Sequence, residues 1–485
     1  MHKTNNVKKF FSNLNFYFSR FIFKFRNGWK RFWETKEITK KLLYTILLLS
    51  IYLIATTIIA PFVKISNSSV IEKDTFLNTL NLVGGGGLKN FSLMALGLGP
   101  FINASLIMSL LQTRLFPPIQ KLSQSGPQGR RKINIITRIM TLVIAFPQAI
   151  LLATSLKSGN NPFIVIEKVG NLSENLIAYF ILPMILIAGS LFALFVAEEI
   201  TNKGLGNGTS LIIFVGIAFQ LPAQFRNAFD TFIDINNKNT VFIGSLKFLT
   251  YLFAYLLVLF VIAFIYNSER HIPIQQIGVG RSKNVTEMGK LPIKVNPGGI
   301  MPIIFASMLL SFPLMIARIL PDSKAKDWIN EYLSFNHWLG LSLLVIVTFF
   351  FSFVMGIQQS RVDKIAEDFT KNSTFIPGIR PGEETEDYLI GVVLRLSAFS
   401  GFWLIILASI QSLQIMTGIL GPEIAFGGTG MMILVSVSLE TIQQFQARLK
   451  TNKLAKQKRL SLSAFSSVES DNKKNNVKKG DGLLW

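Results

Sequence analysis

The chain contains no cysteine among its 485 residues. A disulfide framework, a thiolate metal site and a catalytic thiol are therefore all excluded. Histidine is nearly as scarce. His2, His271 and His337 are the whole set and lie far apart, which argues against a histidine-held metal. Charge is thin as well, at 16% against roughly 25% in an average soluble domain. Negative charge is thinnest: 27 Asp and Glu stand against 49 Lys and Arg, for a formal net charge of +22. The nucleotide-binding pattern G-x-x-x-x-G-K-[ST] and the metalloprotease pattern H-E-x-x-H are both missing. The G-x-G at Gly278–Gly280 lacks its third glycine. No cofactor is expected, and the chain does not read as an enzyme.

What is present in excess is apolar length. Half the residues are hydrophobic, at 50%, and the mean hydropathy is +0.43. The excess gathers into runs of about 20 residues, long enough to cross a ~30 Å hydrocarbon core as helices. Ten spans are predicted. The first five are Leu42–Val63, Phe91–Leu115, Asn134–Leu156, Leu176–Val196 and Thr209–Phe225. The second five are Gly244–Tyr266, Gly299–Leu320, Trp338–Ile357, Leu389–Leu413 and Gly428–Gln446. The fold class is an all-α polytopic membrane protein. The first run begins after about 40 residues and no small-residue cleavage pattern comes after it, so it reads as a retained span rather than a signal peptide.

Positive charge collects at the ends. Residues 1–41 hold eleven Lys and Arg with two acids, and residues 448–485 hold ten with three. Ten crossings place both ends on one face, and basic flanks mark that face as cytoplasmic. The same charges suit anionic lipid or the phosphates of ribosomal RNA. Val7–Trp33 interleaves cations with aromatic rings, the pattern of an interfacial helix or of a segment without fixed structure. The tail after Arg448 reads as disordered.

Two spans are poor apolar helices. The second contains Gly97, Gly99, Pro100, Asn103, Ser105 and Ser109; the fifth opens on Gly206-Asn207-Gly208-Thr209-Ser210. Weaker echoes stand in the second half, at Pro297-Gly298-Gly299 with Pro302 and at Gly427-Gly428-Thr429-Gly430. Corresponding interruptions in two halves suggest an internal duplication around a central path. Close helix packing through small residues gives the same pattern.

Between the eighth and ninth spans lies FIPGIRPGEETEDY, starting at Phe375. An arginine braced by Gly-Ile and Pro-Gly, then followed by acids, is an exposed charge on a rigid turn. The surrounding loop is similar to the cytosolic loop of SecY, the central subunit of the bacterial and plastid protein-translocation channel. Further segments resemble the same family in the same order. They are GGGGLKNFSLMALGLGPFINASLIMSLLQ from Gly84, GPQGRRKINIITR from Gly126, ITNKGLGNGTSLIIFVGI from Ile200, LPIKVNPGGIMPIIFAS from Leu291 and GGTGMMILVSVSLETIQQFQ from Gly427. The likeness covers roughly Leu42 to Lys450.

The resemblance implies two inverted five-helix half-channels, residues 42–243 and 244–447, hinged around a pore and opening sideways between the second and seventh helices. It implies a pore ring at Leu98, Ile102, Thr209, Ile213, Ile304 and Ile433, in which Thr209 departs from the usual aliphatic residue. A plug would span residues 78–90, with Gly84, Gly85, Gly86 and Gly87 giving it freedom to move. Asn103 stands at the gate, either bonded across to Ser307 or within its own helix.

The loops 267–298 and 358–388 would dock a ribosome or the motor ATPase SecA. Their cations are Arg270, Arg281, Lys283, Lys290 and Lys294 in one loop and Arg361, Lys364, Lys371 and Arg380 in the other. Arg380 is the first candidate contact and Arg281 the second, although Arg281-Ser282 replaces the paired arginines usual in the family. The implied activity is passage of unfolded polypeptide, with lateral release of apolar segments. The implied partners are a SecE-like and a SecG-like small subunit, nascent chains with their signal peptides, and the lipid bilayer. A bacterial plasma membrane is the expected location, with a thylakoid membrane as the alternative. The competing class is a secondary transporter, but span centres nearly free of charge fit ion coupling poorly.

Overall fold

The computed structural model describes residues 36–66, 77, 81, 84–112, 116–157, 163–166, 173–233, 238–276, 289–319, 323–422, 424–451, 454 and 457. The amphipathic stretch expected at Val7–Trp33 and the tail beyond residue 457 lie outside them. Helix dominates, as the apolar runs require: a backbone in hydrocarbon must satisfy its own polar groups. In chain order the main helices are α1 (Lys36–Thr57), α2 (Gly99–Leu111), α3 (Pro117–Gln124), α4 (Gly126–Lys157), α5 (Leu182–Lys203), α6 (Gly208–Phe232) and α7 (Lys238–Asn267). They continue with α8 (Met301–Ile319), α9 (Lys324–Tyr332), α10 (Trp338–Ser360), α11 (Val362–Lys371) and α12 (Glu383–Met416). A last helix, α13, covers 428–451.

Among the described residues seven helices are long and apolar enough to cross a membrane, and Gly99–Leu111 and Met301–Leu314 are shorter apolar ones. With α13, helices stand at all ten expected places. Their ends differ from expectation in an instructive way. The second span begins at Gly99, not Phe91, because Phe91 (φ 37°) and Gly97 (φ 51°) take left-handed backbone and Pro100 starts the helix. The seventh begins at Met301, after the Pro297-Gly298-Gly299 turn with Gly299 at φ 58°. α4 starts at Gly126 and carries the basic residues Arg130–Lys132 on its first turns.

The chain divides into two compact units. One comprises residues 1–48, 199–207 and 440–485. Within it Tyr44 donates to Glu199 (3.0 Å), Leu205 N–H donates to Thr45 Oγ1 (2.9 Å) and Arg448 donates to the Gly204 carbonyl (2.8 Å). The other comprises residues 49–198 and 208–439 and holds every pore, plug and gate candidate. In it α2 packs on α4, α8 on α4 and α10, and α10 on α12. α7 presents Phe242, Phe253, Phe260 and Phe264 outward, a surface suited to lipid.

Two small sheets complete this unit. β1 (Val63–Ile65) pairs antiparallel with β2 (Ile164–Ile166). β3 (Glu269–Gln276) lies between β4 (Gly289–Lys294) and β5 (Thr374–Phe375). The two loops expected as docking arms are joined, because β3 pairs with a strand from each. Their shared core is Ile272, Ile293, Val362, Ile376, Leu389, Val392 and Val393. One end of α12 is therefore continuous with the arms. Shortening Ile376 to valine should cost about 0.5–1.5 kcal/mol, read as faster limited proteolysis of residues 358–388 with the helices intact.

Candidate functional site

Residues 84–98 form an irregular segment whose backbone is held at many points. Gly85 and Gly86 take φ of 93° and 90°. Gly86 N–H donates to the Asn81 carbonyl (2.8 Å), while Asn81 Oδ1 accepts from the N–H groups of Leu88 (3.0 Å) and Lys89 (3.2 Å). Ser92 Oγ donates to the Gly87 carbonyl (2.9 Å). The chain end of α1 meets the segment edgewise: Ala60 N–H donates to Phe91 (3.0 Å) and Leu93 N–H to Ile58 (3.0 Å). From α5, Ser190 Oγ donates to the Gly97 carbonyl (2.8 Å).

Two contacts seat this segment. Tyr52 on α1 is fully buried, and its hydroxyl lies 3.4 Å from the Gly84 carbonyl and 3.2 Å from that of Gly85. Gly216 on α6 lies backbone to backbone against Gly85; a methyl group added to it would overlap the Gly85 carbonyl. A methyl group on Gly97 would likewise overlap the Gly84 carbonyl. The reading of Gly84–Gly87 as a source of freedom is thus incomplete. At Gly85 and Gly97 glycine also permits an approach too close for any side chain.

Beside the segment is a cavity of about 90 Å³ whose mixed lining includes the carboxamides of Asn81, Gln220, Gln224 and Gln411. Gln224 donates to the Ala425 carbonyl (3.4 Å), while Gln220 Nε2 is buried without a partner among the described residues.

Five of the six ring candidates are buried. Leu98 is 0% exposed, Ile102 7%, Ile213 6%, Ile304 4% and Ile433 3%. These values rule out a lipid-facing role for the five. Thr209, at the first turn of α6, is half-buried.

Neither arrangement expected of Asn103, a bond across to Ser307 or one within its own helix, is formed. Asn103 Nδ2 reaches Gln148 Oε1 on α4 instead (3.5 Å), and Ser307 donates to its own helix, at Ile303 (2.9 Å) and Ile304 (3.0 Å). The reason is local: a serine hydroxyl inside a helix finds a carbonyl three or four residues back, and α4, packed on α2, offers Asn103 the side-chain acceptor of Gln148. Sequence reading passed over Tyr52, Gln148 and Gly216. The signal was there for the first two, because a hydroxyl or carboxamide inside an apolar span needs a partner.

Of the loop cations, Arg281 and Lys283 lie outside the described residues. Lys294 is turned inward over the Tyr266 ring (4.5 Å to its centroid), and Lys371 is paired with Glu367 at 2.6 Å. Arg270, Lys290 and Arg361 are exposed. Arg380 is exposed between Gly378 (φ 86°) and Gly382 (φ 112°). Its N–H donates to Glu384 Oε2 (3.3 Å) and its carbonyl accepts from Thr385 Oγ1 (2.7 Å). The backbone is thereby fixed, and the guanidinium has no ion-pair partner among the described residues. No cluster of His, Asp and Glu able to hold a metal occurs among the described residues.

The family model SecY matches residues 92–442. The chain is 34% identical over 424 residues to the protein translocase subunit SecY of Mycoplasma capricolum, covering 86% of this chain and 88% of that one. It is 33% identical over 433 residues to the protein translocase subunit SecY of Streptococcus sanguinis, covering 87% and 96%. Its fold is similar to the solved structure of a protein-conducting channel, with a TM-score of 0.61 at 19% identity, covering 86% of this chain and 94% of that one.

Proposed function

The chain belongs to the SecY family, and we propose that it forms the path by which unfolded polypeptide crosses the membrane and apolar segments pass sideways into lipid. The observation that carries this reading is the family match, which takes in all the ring and gate candidates. The chain is a channel subunit with no chemical step of its own.

The half-channels 42–243 and 244–447 meet at the apolar ring. Such a constriction resists wetting and so blocks ions. It makes no directional hydrogen bonds, so it closes around any passing side chain without selecting sequence. The plug expected at 78–90 lies partly outside the described residues; its described part, 81 and 84–90, seats beneath the ring through Gly84–Gly87. A passing segment of ~20 apolar residues gains by leaving between the helices into hydrocarbon, whereas a polar one stays in water. Sorting is then a matter of partitioning.

Energy comes from a partner, a translating ribosome or a SecA-type motor, docked at Arg380 and Arg281. A SecE-like and a SecG-like small subunit complete the complex. The curated relatives are bacterial, and the protein is placed in the plasma membrane as a multi-pass protein. Both basic termini lie on the cytoplasmic side.

A photoreactive residue at Ile102 or Ile433 tests the path. In cells carrying a stalled, half-exported chain, crosslinks to that chain are expected from both positions. Crosslinks to lipid alone would overturn the reading.

A further inference from the structure

We propose that Gln358 is a positioning residue that clasps the lateral gate shut at the end nearest the docking arms; this rests on the channel reading above. Gln358 stands in the last turn of α10, and its Nε2 donates to the Ser109 carbonyl at 2.6 Å, across 249 residues of chain. Ser109 is in the last turn of α2, where carbonyls have no donor within their own helix. The neighbouring Gln359 donates to the Gly298 carbonyl (3.1 Å), in the turn that leads into α8. Two consecutive side chains diverge by about 100° around a helix. This pair therefore ties α10 to two other backbones at once.

Neither side chain first expected to bridge the gate does so. Asn103 bonds to α4 and Ser307 to its own helix. Gln358 makes a bond between α2 and a helix of the second half. Its acceptor is a backbone carbonyl, so the bond does not depend on the side chain at position 109.

The clasp is also built to release. Gln358 Oε1 is buried with no partner among the described residues. A carboxamide that uses its donor but leaves its acceptor dry regains that acceptor's water bonds on parting. The location couples it to the arms. α10 ends at Ser360, Arg361 takes a left-handed φ of 44°, and α11 begins at Val362. A force on the arm bearing Arg380 acts on a turn only three residues from Gln358.

The absence of native cysteine makes the test clean. Single cysteines replace Ile107 on α2 and Leu309 on α8, both exposed. Spin labels on them report the gate distance of the full chain in proteoliposomes. Gln358→Leu removes the bond and Gln358→Asn keeps an amide that is too short to reach. Each is expected to raise the population with separated labels by about two- to tenfold over the unsubstituted gate. Should the leucine variant not fold, the asparagine variant carries the test.

Gln359→Leu, which spares the Ser109 bond, is expected to act less. Unchanged distances in both Gln358 variants would overturn the clasp. A resting gate that opens while still requiring the full docking-partner concentration would overturn its coupling to the arm. Failure of the unsubstituted chain to conduct polypeptide would overturn the channel reading instead, and leaves the distance result to be judged separately.

Discussion

Gly216→Ala is expected to raise the resting ion conductance of the reconstituted channel by roughly 5- to 150-fold. The added methyl group would overlap the Gly85 carbonyl, and backbone on both sides leaves no rotamer to yield. Overpacking of this kind costs about 1–3 kcal/mol, and here it falls on the contact between α6 and the 84–98 segment. The helix itself gains, because alanine is a better helix former than glycine by about 1 kcal/mol. A leak with undiminished thermal stability is therefore the distinctive result.

Gly391→Ala on α12 meets nothing within 4 Å and is the silent comparison. Tyr52→Phe should leak in the same direction but less, about two- to tenfold, since it removes only the hydroxyl held against the Gly84 and Gly85 carbonyls. Planar-bilayer conductance without a partner reads all three. Resting currents for Gly216→Ala equal to those of Gly391→Ala would mean that the 84–98 segment is not what seals the pore.

This seat marks the limit of sequence reading. The ten spans were legible because a run of about 20 apolar residues has one outcome in a bilayer. Their ends were not. Phe91–Leu98 is as apolar as the helix after it, but Gly97 and a left-handed Phe91 divert it into backbone contact with residues far away in sequence. Gly216 looks like any small residue in α6; only the arrival of Gly85 beside it gives it a task.

The ring candidates came from family likeness, and one sequence alone would have left each as ordinary core. The arms show a second limit. ERHIPIQQ and GKLPIK alternate well enough to be strands, yet each carries a proline, and their burial depends on Ile376 and Leu389, about a hundred residues on. Asn103 was rightly singled out as a polar group needing a partner, but which partner depends on how α2 and α4 pack.

Arg380→Glu should weaken association with the docking partner by about 30- to 1,000-fold while leaving the channel folded. The range follows from an arginine contact of about 2–4 kcal/mol, with tenfold per 1.4 kcal/mol. The turn around Arg380 is already built: Ile379 N–H donates to the Ile376 carbonyl (3.0 Å), and Glu384 and Thr385 hold the Arg380 backbone from the start of α12. Little ordering remains to be done on binding, so most of the contact energy survives as affinity. None of these bonds uses the guanidinium, so removing it costs the fold nothing.

The acids that follow, Glu383, Glu384 and Glu386, sit at the N-terminus of α12, where the helix dipole favours them. They also make the surroundings of a glutamate at 380 more repulsive to phosphate or carboxylate. Arg380→Lys separates the two ways an arginine can serve. A planar fork gripping one phosphate or carboxylate loses most of its affinity on that change, whereas a simple point charge keeps it. Titration of the purified partner against proteoliposomes at several salt concentrations reads both. Equal affinity for Arg380→Glu and the unsubstituted chain at low salt, where charge contacts are strongest, would remove Arg380 from the docking surface.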